Sequence, residues 1–406
     1  MSFYVQERSP QPVALPSMEC HYFDESRCRS CTLMGMPYAA QLAAKQERCR
    51  AALAGSATAV SWLEPFAGPE SAFRNKAKLV AAGRPGSVTL GILDGDSRGV
   101  DLRGCGLYEP GLQALIPRVA DLVDELGLEP YDVPARRGEL KHVLLTRSPT
   151  GEVMLRFVLR SQRHVALLRS RLRHIQDRLP EVTVVSVNLQ PVHQAIVEGP
   201  TEIVLSRSDA LSVPVNDITL HLRPNSFFQT NTEVAAALYR QAEEWISRTE
   251  PAEVLDLYCG VGGFALHAAR SGHPGSRRVL GVEVSADAVE SARRSAAELR
   301  ERQPDLGPIS FVAGDATGAA ISGSLGATTR GLVVVNPPRR GIGPDLARRL
   351  EGSQVSHLIY SSCNVDSLAR DLAALPSFTA REARLFDMFP QTSHHEVAVL
   401  LERTAG

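Results

Sequence analysis

The sequence predicts an α/β protein, with a doubly wound parallel sheet in the carboxyl-terminal half and a smaller mixed α/β domain before it. Three observations carry this. From Glu253 onward, short apolar runs alternate with helix-length amphipathic stretches, the pattern of βαβ units. The loop Gly260-Val261-Gly262-Gly263 follows the first of those runs and opens a helix. Between residues 88 and 205, alternating apolar runs are separated by turn clusters such as Ser148-Pro149-Thr150-Gly151.

A chain of 406 residues suggests two to three domains, and 44% apolar with 22% charged residues is ordinary for a folded soluble protein. No apolar run reaches the ~18–20 residues of a membrane span. Residues 1–17 carry several prolines and no apolar core, so they read as a loose extension rather than a signal peptide. A net charge of -1 leaves any nucleic-acid surface to a local patch. Seven cysteines without a secretion signal suggest metal or catalysis in a reducing, cytoplasmic setting.

Taken in order, the first signal is Cys20-x7-Cys28-x2-Cys31, with Cys105 further on. Three close cysteines and one distant one complete a four-thiolate site, and spacing does not separate zinc from a four-iron cluster. Met36 to Leu53 has a helical pattern in which Cys49 reads as a small apolar filler. In Phe73–Lys78, alternation places Arg74, Lys76 and Lys78 on one strand face, a row suited to phosphates. Strands follow at Val88–Leu93, His142–Thr146, Val153–Arg160, Val182–Leu189 and Thr201–Leu205, with a helix over Val165–Leu179. Ten Lys/Arg against two Asp/Glu between Arg136 and Arg173 make a local basic surface. The segment 224–231 precedes an amphipathic helix, Thr232–Ile246, capped by Asn231 or Thr232, and core packing is the favoured reading of Phe227.

In the second half, strands are expected at Val254–Cys259, Val279–Val284, Ile309–Val312, Leu332–Val335, His357–Ser361, Ala383–Phe389 and Val397–Leu401. The last two are joined too briefly for a helix and should pair antiparallel. That ending defines the class I (Rossmann-like) methyltransferase variant of the doubly wound sheet. Ligands of such sheets sit at the carboxyl ends of the strands. There the G-x-G-G loop suits the amino-acid end of S-adenosylmethionine. Glu283 can accept its ribose hydroxyls, Asp315 its adenine amino group, and Asn336 opens an Asn-Pro-Pro turn into the cleft. Amino-group methyltransferases often place an aromatic residue after that turn; Arg339 stands there instead. Cys363 ends the fifth strand as a candidate nucleophile. Of His394, His395 and Glu396, the glutamate is the chosen base because an apolar strand follows it.

These stretches together resemble the RNA 5-methyluridine methyltransferases over nearly the whole chain from Cys20, most of all the branch that acts on 23S rRNA. The resemblance rests on the cysteine set, Phe73–Lys78, Ser226–Asn231, Asp256–Gly263, Asn336–Gly343, Ser361–Asn364 and Phe386–Glu396. It implies a [4Fe-4S] cluster on Cys20, Cys28, Cys31 and Cys105, and S-adenosylmethionine contacts at Gln229, Tyr258, Glu283, Asn336 and Asp315. Cys363 falls on its nucleophile and Glu396 on its proton-abstracting base. The division it implies is a cluster-binding segment at 18–34, a helix at 35–64 packed on the catalytic domain, a central RNA-binding domain at 65–222, and the methyltransferase domain at 223–406. The expected partner is 23S rRNA, with no membrane and no obligate protein partner, acting as a monomer. Two other readings fit the same residues: the same chemistry on another rRNA or a tRNA uridine, or a non-catalytic iron-sulfur RNA-binding protein. Intact Cys363 and Glu396 disfavour the latter.

Overall fold

The computed structural model describes residues 18–55, 60–271, 277–321 and 331–404; the expected extension at 1–17 lies outside them. After a single turn α1 (His21–Asp24) comes helix α2 (Tyr38–Leu53), then the two-residue strand β1 (Ser61–Trp62). The central domain follows with β2 (Lys76–Arg84), β3 (Ser87–Leu93), β4 (Gly99–Asp101), α3 (Pro110–Glu125), β5 (Leu140–Arg147), β6 (Val153–Leu159), α4 (Val165–Ser170), α5 (Leu172–Arg178), β7 (Val182–Leu189) and β8 (Thr201–Val204). Its seven strands run in the order β4-β3-β2-β5-β6-β7-β8. Leu112, Ile116, Val119 and Val123 of α3 repeat at helical spacing and bury against Leu79, Leu90 and Leu145 of the sheet. The expected helix over Val165–Leu179 is two pieces that meet at Arg171.

The hairpin β9 (Leu211–Val215) and β10 (Ile218–Leu222) pairs only with itself among the described residues. Its Leu211, Val213, Ile218 and Leu220 share a core with Leu238 and Trp245 of α6 (Thr232–Thr249), on the methyltransferase side. Asn231 caps α6 by accepting from Val234 N at 3.2 Å, as the sequence anticipates.

The second sheet is built from β11 (Glu253–Leu257), α7 (Gly263–Arg270), β12 (Arg278–Glu283), α8 (Ala286–Arg302), β13 (Ile309–Ala313), α9 (Ala316–Ile321), β14 (Gly331–Val335), α10 (Gly343–Glu351), β15 (His357–Ser362), α11 (Val365–Ala373), β16 (Phe378–Phe386) and β17 (Glu396–Arg403). Strand order is β1-β16-β17-β15-β14-β11-β12-β13. All seven expected strands are present, β16 and β17 pair antiparallel as expected, and β1 adds a parallel edge the sequence did not signal. One sheet face packs on α6, α7 and α8. The other packs on α10, α11 and, through Cys49 and Leu53, on α2, although α2 precedes the central domain in the chain. No described helix is long and apolar enough to cross a membrane.

Candidate active site

Strand register alone assembles the site. β11 pairs β14 with Leu257 beside Val335, β12 with Leu257 beside Val282, and β14 pairs β15 with Val335 beside Tyr360. One residue further on, Glu283, Tyr258, Asn336 and Ser361 therefore form one row along the carboxyl edge of the sheet. β15 and β17 are antiparallel, with Ser362 beside Val397, so Cys363 leaves the end of the ladder next to Glu396, whose charge acts on its thiol. Four of the candidate residues, and the thiol, thus fall on neighbouring strands for one geometric reason.

Side-chain contacts join this row. Asn336 Nδ2 donates to Ser361 Oγ at 3.5 Å, and Ser361 Oγ donates to Glu396 Oε1 at 2.5 Å. Ser361 and Glu396 are diagonal neighbours on one sheet face, which lets a short hydroxyl reach the carboxylate. Glu396 is 2% exposed. Burial pushes its carboxyl up to about 7, against the pull of the Ser361 hydrogen bond. Cys363 is partly exposed and opens on a cavity of about 190 Å³ lined by Arg48, Arg339, Asn364, His394 and His395. Burial and then the Glu396 charge raise its thiol, while the Arg339 guanidinium, which hydrogen-bonds it, lowers it. Arg339 is held there because Asn364 Nδ2 donates to its carbonyl at 3.0 Å and Gly341, at φ +84°, closes the turn. A Cβ on Gly341 would stand 2.1 Å from Asp371 Oδ2.

The segment that carries the histidines and Glu396 is clamped by α2. Lys45 Nζ meets Asp387 Oδ1 at 2.6 Å with both groups buried, and Tyr38 Oη donates to the other oxygen at 2.9 Å. Cys49 Sγ lies 3.1 Å from His395 Nε2. Cys49 is therefore a buried filler as read, but one with a polar partner. His394 is exposed and His395 is turned toward Cys49.

On the donor side, Gly260 (φ +53°) has open space where a Cβ would stand, and Gly262 (φ +89°) would press on Phe311 and Ala292. Tyr258 adopts φ 65°, rare for a bulky residue, directly before this loop. Glu283 accepts from Gly260 N at 3.1 Å and Ser285 N at 2.9 Å. Asp256 is fully buried; one oxygen accepts from Ala265 N at 2.9 Å and the other has no partner among the described residues. Burial lifts its carboxyl to about 8. An open glycine cradle with an orphaned carboxyl oxygen fits a ligand carrying an amino group. Asp315 is exposed and accepts from Gly318 N at 2.9 Å, so it caps α9. Gln229 is buried, and its carbonyl accepts from Asn75 Nδ2 at 3.1 Å. Phe228 enters the core, whereas Phe227 is 72% exposed, against the packing reading: the turn before α6 admits only one ring inward.

Cys20, Cys28, Cys31 and Cys105 line a common cavity of about 170 Å³ with Arg74 and Lys78. Burial, then the neighbouring cysteines, push Cys31 up to about 12. No described group of three His, Cys, Asp or Glu is drawn tightly enough for a single metal ion. The cation row is less free than its pattern suggested. Lys78 pairs with Glu198 at 2.8 Å, and Lys76 is pulled down to about 8, first by burial and then by Lys78. Arg156, counted in the basic stretch, is buried against Glu198 and Glu202.

Sequence reasoning assigned no role to Ser361, Asp256 or the Cys49–His395 contact. Period-two alternation, which sets Ser361 on the same side as Cys363, was the available signal for the first.

The doubly wound sheet, the glycine cradle and the row of polar residues along its carboxyl edge define a class I S-adenosylmethionine-dependent methyltransferase. A family model described as tRNA (Uracil-5-)-methyltransferase matches residues 324–404, and one described as Methyltransferase domain matches residues 254–329. The chain is 46% identical over 387 residues to the 23S rRNA (uracil(747)-C(5))-methyltransferase RlmC of Halothiobacillus neapolitanus, spanning 95% of this chain and 100% of that one. It is 44% identical over 385 residues to the protein of the same name from Yersinia pestis, spanning 95% and 99%. Its fold matches the Pyrococcus abyssi tRNA (uracil-54, C5)-methyltransferase, solved in complex with S-adenosyl-L-homocysteine, with a TM-score of 0.73 at 23% identity over 91% of this chain and 85% of that one. The chain belongs to the 23S rRNA (uracil(747)-C(5))-methyltransferase family.

Proposed function

We propose that the protein transfers a methyl group from S-adenosylmethionine to carbon 5 of a uridine in 23S rRNA, at a 747-type site, through a covalent adduct on Cys363. The observation that carries this is a partly exposed thiol beside a buried carboxyl at the end of the β15–β17 ladder: Cys363 follows Ser362, Glu396 precedes its partner Val397, and the Glu396 charge acts on the thiol. Carbon 5 of uracil is a poor nucleophile, and covalent catalysis divides the difficulty. The Cys363 thiolate forms a bond to carbon 6, and the ring electrons move into an enolate centred on carbon 5 and oxygen 4. When bound, S-adenosylmethionine would supply the electrophilic methyl group that carbon 5 takes, its methyl–sulfur bond breaking to leave neutral S-adenosyl-L-homocysteine. Glu396 then removes the carbon 5 proton, the double bond re-forms, and the carbon–sulfur bond breaks to release the thiolate. Arg339 favours the thiolate at the start and again at release. A Glu396 carboxyl near 7 is half ionised at neutral pH, well matched to accepting that proton.

Gln229, Tyr258, Glu283, Asp315 and Asn336 bind the donor in this reading, supported by the cradle around Gly260. Cys20, Cys28, Cys31 and Cys105 hold a [4Fe-4S] cluster, supported by their common cavity. Such a cluster supplies a cross-link between the amino-terminal segment and the central domain. The central domain, residues 65–222, contacts the RNA, and the β9–β10 hairpin at its end packs with the methyltransferase core. The enzyme works as a monomer in the cytoplasm, where its rRNA is made.

The test is trapping. A 23S rRNA fragment bearing 5-fluorouridine, mixed with enzyme and S-adenosylmethionine, should yield a denaturation-resistant adduct that maps to Cys363. Absence of both adduct and methylated uridine with wild type would end this reading.

A further inference from the structure

The central domain holds a second cavity, of about 480 Å³, that the proposed reaction does not use. This volume lies within the range of small-ligand sites, about 300–1,000 Å³. Val80 lines it from β2, on the strand face opposite Ala77, Leu79 and Ala81, which pack under the helices. The cavity therefore opens on the side of the sheet that α3, α4 and α5 leave uncovered.

A bulge builds its polar floor. The β5–β6 register shifts between Leu140 and His142, so Lys141 is an extra residue. In a regular strand, neighbours point to opposite faces; here Lys141 and His142 both line the cavity. Lys141 Nζ donates to the Val192 carbonyl at 2.7 Å and stands 4.7 Å from the centre of the Tyr131 ring. Tyr131 Oη and His193 Nδ1 are 3.0 Å apart, with the two ring centres 6.2 Å apart. His142 Nδ1 is buried and has no hydrogen-bond partner among the described residues. Burial, then Lys141, keeps this imidazole neutral, down to about 4, so it offers one donor and one acceptor. Leu93, Val133 and Ile196 supply apolar walls, and Ile196 is 47% exposed at the rim.

The surroundings suit a polyanion. Exposed Arg136 and Arg137 follow Val133 in the chain, and Glu198, the carboxylate that follows Val197 of the lining, is neutralised by Lys78 at 2.8 Å and by Arg156 at 2.6 Å. Flat apolar walls, two aromatic rings, an unpaired neutral imidazole and flanking cations are what a single-stranded base with its phosphate requires. We propose that this cavity receives one unpaired nucleobase of the RNA substrate, displaced from the target uridine and read by His142. The inference rests on the proposed rRNA methylation, and its test separates the two.

Two variants serve. Ala195→Trp, at an exposed position on the rim, puts an indole in the mouth; His142→Ala removes the polar group. Binding to a 23S rRNA hairpin fragment should weaken roughly ten-fold or more with each, the scale of losing a stacked base. Melting temperature and S-adenosyl-L-homocysteine affinity, measured by calorimetry, should stay at wild-type values. Fragments with single abasic substitutions at unpaired positions, the target excepted, supply the second arm. One position should cost wild type a similar factor and cost Ala195→Trp nothing further. If both variants bind within two-fold of wild type, or if no abasic position reproduces the loss, the cavity is not a base site. If wild type itself neither binds nor methylates the fragment, the rRNA reading fails first.

Discussion

Two cavities of nearly equal size, about 190 Å³ and about 170 Å³, are each lined by cysteine sulfur, and they differ in what surrounds it. Cys363 stands alone: burial raises its thiol, one carboxylate raises it further, and one guanidinium opposes both. In the amino-terminal cavity, Cys31 is raised by burial and then by three other cysteines, and the Arg74 guanidinium opposes them more weakly. A lone thiol beside a cation can gain and lose its proton during a reaction. A thiol that ligates metal must first give up its proton, and metal charge favours that loss. Under the proposed function the same atom would serve as a reversible nucleophile in one place and a fixed ligand in the other.

The largest effect should come from Cys363→Ala. Methylation and adduct formation should vanish, with the melting temperature unchanged within about 2 °C. The opposite cavity should show the reverse pattern. Cys31→Ser should strip iron and sulfide from anaerobically purified protein and lower the melting temperature by several degrees, since metal held only by the folded chain stabilises it. The properly folded fraction should keep its adduct. Unchanged iron content in Cys31→Ser, or a stability loss in Cys363→Ala, would erase the distinction.

The carboxyl-terminal sheet was the more legible in sequence. Parallel strands buried on both faces read as apolar runs, and Glu283, Asn336 and Cys363 mark their ends. Pattern was less help in the central domain. Helix α3 has clear helical spacing, but Pro117 in its interior reads as a breaker. The β9–β10 hairpin lies beside the central domain in sequence and packs with the catalytic core. Ser361–Glu396 and Cys49–His395 join residues 35 and 346 positions apart, so only register and packing create them. A bulge such as that at Lys141 leaves no mark in composition.

Glu396→Gln sharpens the comparison next, because it tests whether the lone thiol is released by its own acid-base partner. Methyl transfer should still occur, proton removal should slow by about 10²–10⁴-fold, and methylated adduct should accumulate. Wild-type turnover should climb as pH rises through about 7, and the variant should lose that step. The stability consequence has a definite sign. The folded carboxyl lies above its unfolded value, so its contribution is full below about 4.5 and is lost as pH rises through about 7. Glu396→Gln should flatten that decline. A variant that turns over normally without accumulated adduct would remove Glu396 as the base.

Arg339→Ala should act more gently. Without the guanidinium the thiol holds its proton more tightly, and the thiolate population near neutrality falls in proportion. Adduct formation should therefore fall roughly ten-fold at pH 7, the effect of raising the thiol by about one pKa unit, and recover as pH is raised. A deficit equal at all pH values would mean that Arg339 positions the RNA rather than supporting the thiolate.

Ser361→Ala should be the smallest effect, and it separates a relay from a scaffold. The hydroxyl donates to Glu396 at 2.5 Å and accepts from Asn336 at 3.5 Å, so it joins the proposed base to the polar row along the sheet edge. Its hydrogen bond favours the carboxylate and draws Glu396 down against burial. Removing it should move the midpoint of the elimination profile to higher pH. The rate should then drop a few-fold at pH 7 and match wild type once both carboxyls are ionised. Ser361→Thr, which keeps the hydroxyl, should restore the wild-type midpoint. A purely structural serine would instead lower the rate by the same factor at every pH, and the cysteine would then depend on a base tuned by burial alone.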